Sequence, residues 1–287
     1  MSPFDPEAYR SAARDQWDRA APGWGERRAA LQRVAMPVST WLVDAVRPQP
    51  GHRVLELAAG PGDTGFLMAE LIRPGGTLIC SDRSEAMLDV ARARAEELGA
   101  EGVEFRVIDA EWIDLPAAGL DAVLCRWGYM LLADPAAALR ETRRVLRPGG
   151  RVALAAWDRA EENPWAAIGA DEVQRLLDAP ASEPGQPGMF AFAPAGRIGE
   201  LLDEAGFSEV EVDAIDVSFT FADEDAWWED RVALSTPFRD ALGRLDPSGR
   251  DRLREAIDAR LAGYRDESGG LTVPGARWSP PRPPERA

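Results

Sequence analysis

The chain has 287 residues, 33 basic and 49 acidic side chains, and a formal charge of −16. Every basic residue is arginine and the single histidine is His52, so lysine Schiff bases, lysine general bases, a phosphate-loop lysine and multi-histidine metal centres are all excluded. The acidic balance argues against a general nucleic-acid binder, which needs a basic footprint.

The length suits one large domain or two small ones, with a core that needs no covalent staples. Cys80 and Cys125 are too few for a disulfide framework. There is no apolar run long enough to span a membrane, and the charged N-terminus has no signal-peptide core. A cytoplasmic protein is expected.

In chain order, residues 5–21 read as an amphipathic helix ending near Pro22-Gly23, and 25–46 as one or two more, broken near Pro37. A short apolar strand, 53–58, runs into a glycine-rich turn and a helix over 63–73. The spacing then predicts a strand at 77–82, a helix at 84–98, a strand at 103–109, a strand at 120–127, a helix at 135–146 and a strand at 151–157. These strands are near-continuous apolar runs alternating with helices, the mark of a parallel sheet buried on both faces. Beyond 157 the pattern loosens. Helices are expected at 163–178, 195–205, 223–243 and 247–265, an alternating strand at 208–221, and a closing strand within 271–278. The organisation expected is a helical cap over 1–50, an α/β core over 51–222 with an insertion at 158–194, and a helical addition with a Pro-rich tail over 223–287.

Gly60-Pro61-Gly62-Asp63-Thr64-Gly65 fits the G-x-G-x-x-G pattern between a strand and a helix, and Asp82 ends the next strand where an acid can grip ribose hydroxyls. A turn that binds nothing is the plain alternative. A nicotinamide dinucleotide and S-adenosylmethionine (SAM) both fit a glycine loop plus an acid. Glu56 favours SAM, because an anion beside the loop suits a sulfonium and an amino group better than a pyrophosphate. Asp109 adds an acceptor for an adenine amine. His52 precedes the first strand, at the end of the sheet opposite the loops, which leaves hydride chemistry without a proton relay.

These residues resemble the class I SAM-dependent methyltransferases, in the branch similar to the ubiquinone/menaquinone biosynthesis enzymes (the type 11 group). The resemblance rests on V-L-E-L-A-A-G-P-G-D-T-G at 54–65, S-D-R-S-E-A-M-L at 81–88, V-I-D-A-E-W-I-D-L-P at 107–116, L-D-A-V-L-C-R-W-G at 120–128 and R-V-L-R-P-G-G-R at 144–151. Q-W-D-R-A-A-P-G-W at 16–24 resembles the family's cap. The resemblance implies a Rossmann-like α/β fold with helices on both faces of a mostly parallel sheet. It implies that Glu56, Gly60 and Gly62 hold the methionine portion of SAM, and that Asp82 takes the ribose. Arg83 and Met87 would lie near the adenine, Asp109 and Ala110 would contact it, the backbone at Arg126 would close the pocket, and Trp24 would cover it. Such folds end with an antiparallel strand at the sheet edge. Here its counterpart, near 273–278, meets Pro280, Pro281, Pro283 and Pro284, and proline avoids central strands.

Of the ten tryptophans, Trp112, Trp127 and Trp157 fall at or just beyond strand ends, while Trp165, Trp227 and Trp228 lie in the additions. They line an apolar acceptor pocket or pack the additions against the sheet. Trp127, Tyr129, Trp157 and Trp165 are the candidate acceptor contacts. Arg126 would anchor an acceptor anion or serve only as strand-end backbone. Asp158 is a base or a loop carboxylate, and Asn163 a polar contact. The expected function is in-line methyl transfer from SAM to a small aromatic or hydrophobic acceptor, on O, C or N, without a metal. Two other readings stay open: a SAM-binding cyclase or regulator that transfers no methyl, and an NAD(P)-dependent oxidoreductase. The partner expected is a small-molecule acceptor rather than nucleic acid or membrane, with a homodimer left open.

Overall fold

The computed structural model describes residues 4–178 and 185–275. Its centre is a five-stranded parallel sheet in the order β3-β2-β1-β4-β5. The strands are β1 (Arg53–Glu56), β2 (Thr77–Asp82), β3 (Val103–Val107), β4 (Leu120–Arg126) and β5 (Leu146–Ala155). β1 lies between β2 and β4, with Leu55 opposite Ile79 on one side and Val123 on the other. Val54, Leu55, Leu78, Ile79, Val123 and Leu124 are fully buried. Helices cover both faces, so the apolar runs need no alternation. Chain order reverses between β1 and β4, and in such sheets ligands bind outside the carboxyl ends of the strands at that point.

The cap is a single helix, α1 (Pro6–Ala45), of 40 residues. Asp5 caps it, its carboxylate accepting from the Glu7 and Ala8 amides, and Pro6 sits in the first turn, where no amide is needed. The break expected at Pro22-Gly23 does not occur, nor does the one at Pro37; both prolines lie inside the helix. Tertiary contact overrides the local signal. Trp24 Nε1 donates to the Leu234 carbonyl and Thr236 Oγ1 to the Gln16 carbonyl, while Arg239 donates to the Arg19 carbonyl.

α2 (Asp63–Leu71) and α3 (Glu85–Leu98) follow β1 and β2, and α4 (Pro135–Val145) precedes β5. Arg147-Pro148-Gly149-Gly150 stops α4 as expected but belongs to β5, which begins earlier than the sequence suggests. Then come α5 (Pro164–Leu176) and α6 (Arg197–Glu204). The stretch expected as one helix over 223–243 is two, α7 (Glu224–Leu234) and α8 (Thr236–Arg244), because the Ser235 side chain caps α8. α9 (Pro247–Leu261) completes the helices.

The closing elements depart most from expectation. Only Val217–Phe221 (β6) of the 208–221 run is a strand. It pairs antiparallel with β7 (Leu271–Gly275) in a separate two-stranded sheet. The closing strand therefore does not join the five-stranded sheet. β7 ends at Gly275, and the four prolines lie outside the described residues. This pairing also ties the last segment to the core, across the divide expected at 222.

Candidate functional site

β1 gives way to Leu57-Ala58-Ala59-Gly60-Pro61-Gly62, with Ala58, Gly60 and Gly62 at φ of 51°, 53° and 82°. Left-handed backbone favours glycine. At Gly62 a side chain is excluded on space as well, because a Cβ would lie 2.6 Å from the Phe66 ring. Asp82, at the end of β2, holds this turn. Its Oδ2 accepts the Gly60 amide at 2.9 Å and its Oδ1 the Ser84 amide at 3.0 Å. Burial pushes its carboxyl upward, against the pull of those amides.

A crevice opens beyond these strand ends. Gly60, Asp82, Arg83, Met87, Asp109, Ala110 and Arg126 line it, and Trp24 covers it from α1. Eight of the ten residues expected to hold a cofactor thus meet in one place. Sequence reasoning missed Ala13, Trp17, Ala58, Ile108, Gly128, Leu131 and Leu132. Trp17 carried a usable signal: it lies seven positions before Trp24, hence on the same helix face. The two rings meet edge to face at 5.6 Å. The crevice is open on one side, with a volume of about 90 Å³.

Glu56 is not among the lining residues. Its carboxylate packs against Gly65, where a Cβ would come within 2.3 Å of its Oε2. That oxygen is buried and has no hydrogen-bond partner among the described residues. Burial pushes the Glu56 carboxyl up to about 8, although Arg126 nearby works the other way. The Arg126 guanidinium lies 4.9 Å over the Trp127 ring and donates to Ser39 Oγ of α1 at 3.2 Å. Asp109 Oδ1 accepts the Glu111 amide, and Arg83 approaches Oδ2 at 3.4 Å.

The aromatic acceptor contacts divide. Trp127 lines the crevice. Trp157 stacks on Trp127 at 4.3 Å and touches Trp165 at 5.1 Å, while Trp165 stacks on Phe219 at 3.9 Å. Both Trp157 and Trp165 are buried in this stack rather than open to the crevice. Tyr129 is fully buried, its hydroxyl paired with Thr142, so it belongs to the core rather than to an acceptor pocket. Trp112, by contrast, is 77% exposed. Asp158 accepts the Arg159 amide and Asn163 braces the same loop through the Asp158 carbonyl. His52 takes the Gln49 amide ahead of β1, far from the loops in the sheet.

The family model described as a methyltransferase domain matches residues 48–184. The chain's relatives include the nocamycin O-methyltransferase of Saccharothrix syringae, 32% identical over 61% of this chain and 65% of that one. The ubiquinone/menaquinone biosynthesis C-methyltransferase UbiE of Cellvibrio japonicus is 34% identical over 38% of this chain and 45% of that one. The chain thus spans less than two thirds of the length of these curated relatives. Among solved structures, YcgJ of Bacillus subtilis shares the fold, with a TM-score of 0.54 and 19% identity over 83% of this chain and 95% of that one. The matched residues comprise all five strands of the parallel sheet and the loops at their carboxyl ends.

Proposed function

We propose that the protein is a SAM-dependent methyltransferase acting on a small, apolar or aromatic acceptor. The crevice supports this reading: a glycine turn held by Asp82, with a second carboxylate at Asp109 and apolar cover from Trp17, Trp24 and Met87. The donor set fits the cofactor. Asp82 and Asp109 present acceptors to hydroxyls and an amine, and the indole faces suit an adenine. Arg83 and Arg126 also line the crevice, but Asp109 faces the first, and Glu56 and Asp63 the second. Each guanidinium thus has a carboxylate beside it, which suits a pyrophosphate less than an open pair of cations would and disfavours a nicotinamide dinucleotide.

SAM, when bound, supplies an electrophilic methyl with its own leaving group. The chain's part is to hold both reactants in line and keep water out. Asp82 would orient the ribose, and Trp127, at the base of the crevice, would set the acceptor plane. Names such as O-methyltransferase and C-methyltransferase belong to the relatives; the methylated atom here stays open between O, C and N.

Incubating the protein with SAM and a panel of phenols, quinols and amines, and measuring S-adenosylhomocysteine, tests the reading. Acceptor-dependent product is expected. SAM binding with no product from any acceptor would favour the cyclase or regulator instead.

A further inference from the structure

β7 pairs with β6, so among the described residues no strand covers the outer edge of β5. A second cavity, of about 420 Å³, runs along that edge, within the ~300–1,000 Å³ of small-molecule sites. Trp127 lines this cavity and the crevice alike. The Arg126 guanidinium lies 4.9 Å over its ring and Trp157 stacks on it at 4.3 Å, so the plane of this partition is fixed. Val38 of α1 and Ile198 and Leu202 of α6 add apolar walls. The edge itself is polar. The Trp127 amide donates to the Ala155 carbonyl, so Ala155 turns toward β4 and the alternate residues Val152 and Leu154 turn their amides and carbonyls toward the cavity. The facing wall offers them no ladder, because Glu209, at φ 57°, breaks the run over 206–213. Charge along the lining is balanced, with Arg143, Arg147 and Arg151 against Glu209, Glu211 and Asp213.

We propose that this cavity holds the body of the methyl acceptor, and that the acceptor is a neutral molecule with an apolar frame carrying hydroxyl or carbonyl groups. The inference rests on the methyltransferase reading. The shared Trp127 lets one molecule lie in the cavity while its reacting atom reaches the crevice. A plain hydrocarbon would displace water from the Val152 and Leu154 backbone and leave those groups unpaired. Hydroxyls and carbonyls at the rim of the acceptor pair with them instead. The balanced lining gives neither an anion nor a cation an advantage.

The probes are chrysin, a neutral dihydroxyflavone, and flavone, the same frame without hydroxyls. Calorimetry on the full chain gives affinity and amide exchange gives location, both without SAM. Chrysin is expected to bind about tenfold tighter than flavone and to slow exchange at Val152 and Leu154 while leaving the glycine turn unchanged. With SAM added, chrysin should yield S-adenosylhomocysteine. Val152→Trp narrows the cavity from β5, and Ser208→Trp does so from an exposed position on the facing wall, where folding is least at risk. Each should raise the KM for chrysin about tenfold and keep the SAM-induced rise in Tm. Equal affinity for the two probes, protection confined to the crevice loops, or an unchanged KM in Ser208→Trp overturns the proposal, while SAM binding and turnover keep the methyltransferase reading. Bound SAM with no product from chrysin or from any phenol, quinol or amine overturns that reading, and the acceptor role of the cavity with it.

Discussion

Asp82 combines two tasks that the sequence shows only as one. Its position at the end of β2 makes it the proposed ribose ligand, and its carboxylate fixes the glycine turn through the Gly60 amide and the start of α3 through the Ser84 amide. Replacing it with Ala leaves both amides unpaired. SAM affinity should fall by about 1–3 kcal/mol, roughly ten- to hundredfold, in titration calorimetry; an unchanged affinity would remove Asp82 from the site. Glu56 gives a second prediction. Its carboxyl titrates near 8 in the folded chain, above its ordinary value, because it is buried. Between about pH 4.5 and 8 the folded state keeps a proton that the unfolded chain releases, so stability falls as pH rises through that window, by up to about 1.4 kcal/mol per unit. Glu56→Gln should remove this slope. Urea unfolding at pH 5 and pH 9 should show the variant gaining on the wild type at the higher pH; a constant difference would refute it. Both acids were legible because chain spacing places them at strand ends. Tyr129 was misread because Trp127 adopts a φ of 63° and the backbone turns at Gly128, where a Cβ would lie 2.6 Å from Cys125 Sγ. That reversal sends the phenol inward, and residue type alone does not reveal it.

At the scale of elements, every strand of the parallel sheet was legible, because an apolar run between helical periods has few other readings. The cap was not. Pro22-Gly23 reads as a helix end, yet the glycine serves a close approach: a Cβ there would sit 2.0 Å from the Ala233 carbonyl oxygen of α7. The same contact region carries Trp24 to Leu234 and Arg239 to the Val232, Ala233 and Arg19 carbonyls. Residue 23 and its partners are more than two hundred positions apart, so no local pattern announces them. Gly23→Ala should improve helix propensity and still destabilise, since overpacking typically costs about 1–3 kcal/mol. Limited proteolysis should show faster cleavage within α1 in this variant. A variant as resistant as the wild type would mean that α7 does not press on the cap. The 208–221 run failed as a strand prediction for a related reason. Its alternation is genuine, but a strand exists only with a ladder partner, and beyond β6 none is present among the described residues.

For the molecule as a whole, the missing lysines and the lone His52 exclude whole mechanisms without naming one, and the positive case rests on the crevice. A ligand that binds only the folded state raises stability by about 2.7 kcal/mol at a hundred times its Kd. In a chain of this size each kcal/mol moves Tm by about 2–4 °C. SAM at that excess should therefore raise Tm by about 5–10 °C. NAD and NADP at equal concentration should leave it near the unliganded value, because Asp63 lies beside Arg126 and Asp109 engages Arg83 where a pyrophosphate would need free cations. The comparison also bears on the cap. Trp17 and Trp24 line the crevice from α1, so Gly23→Ala, which should loosen the cap from α7, is expected to change the SAM-induced shift while leaving the order of the three ligands intact. A shift produced by NAD alone would overturn the assignment of the crevice to SAM.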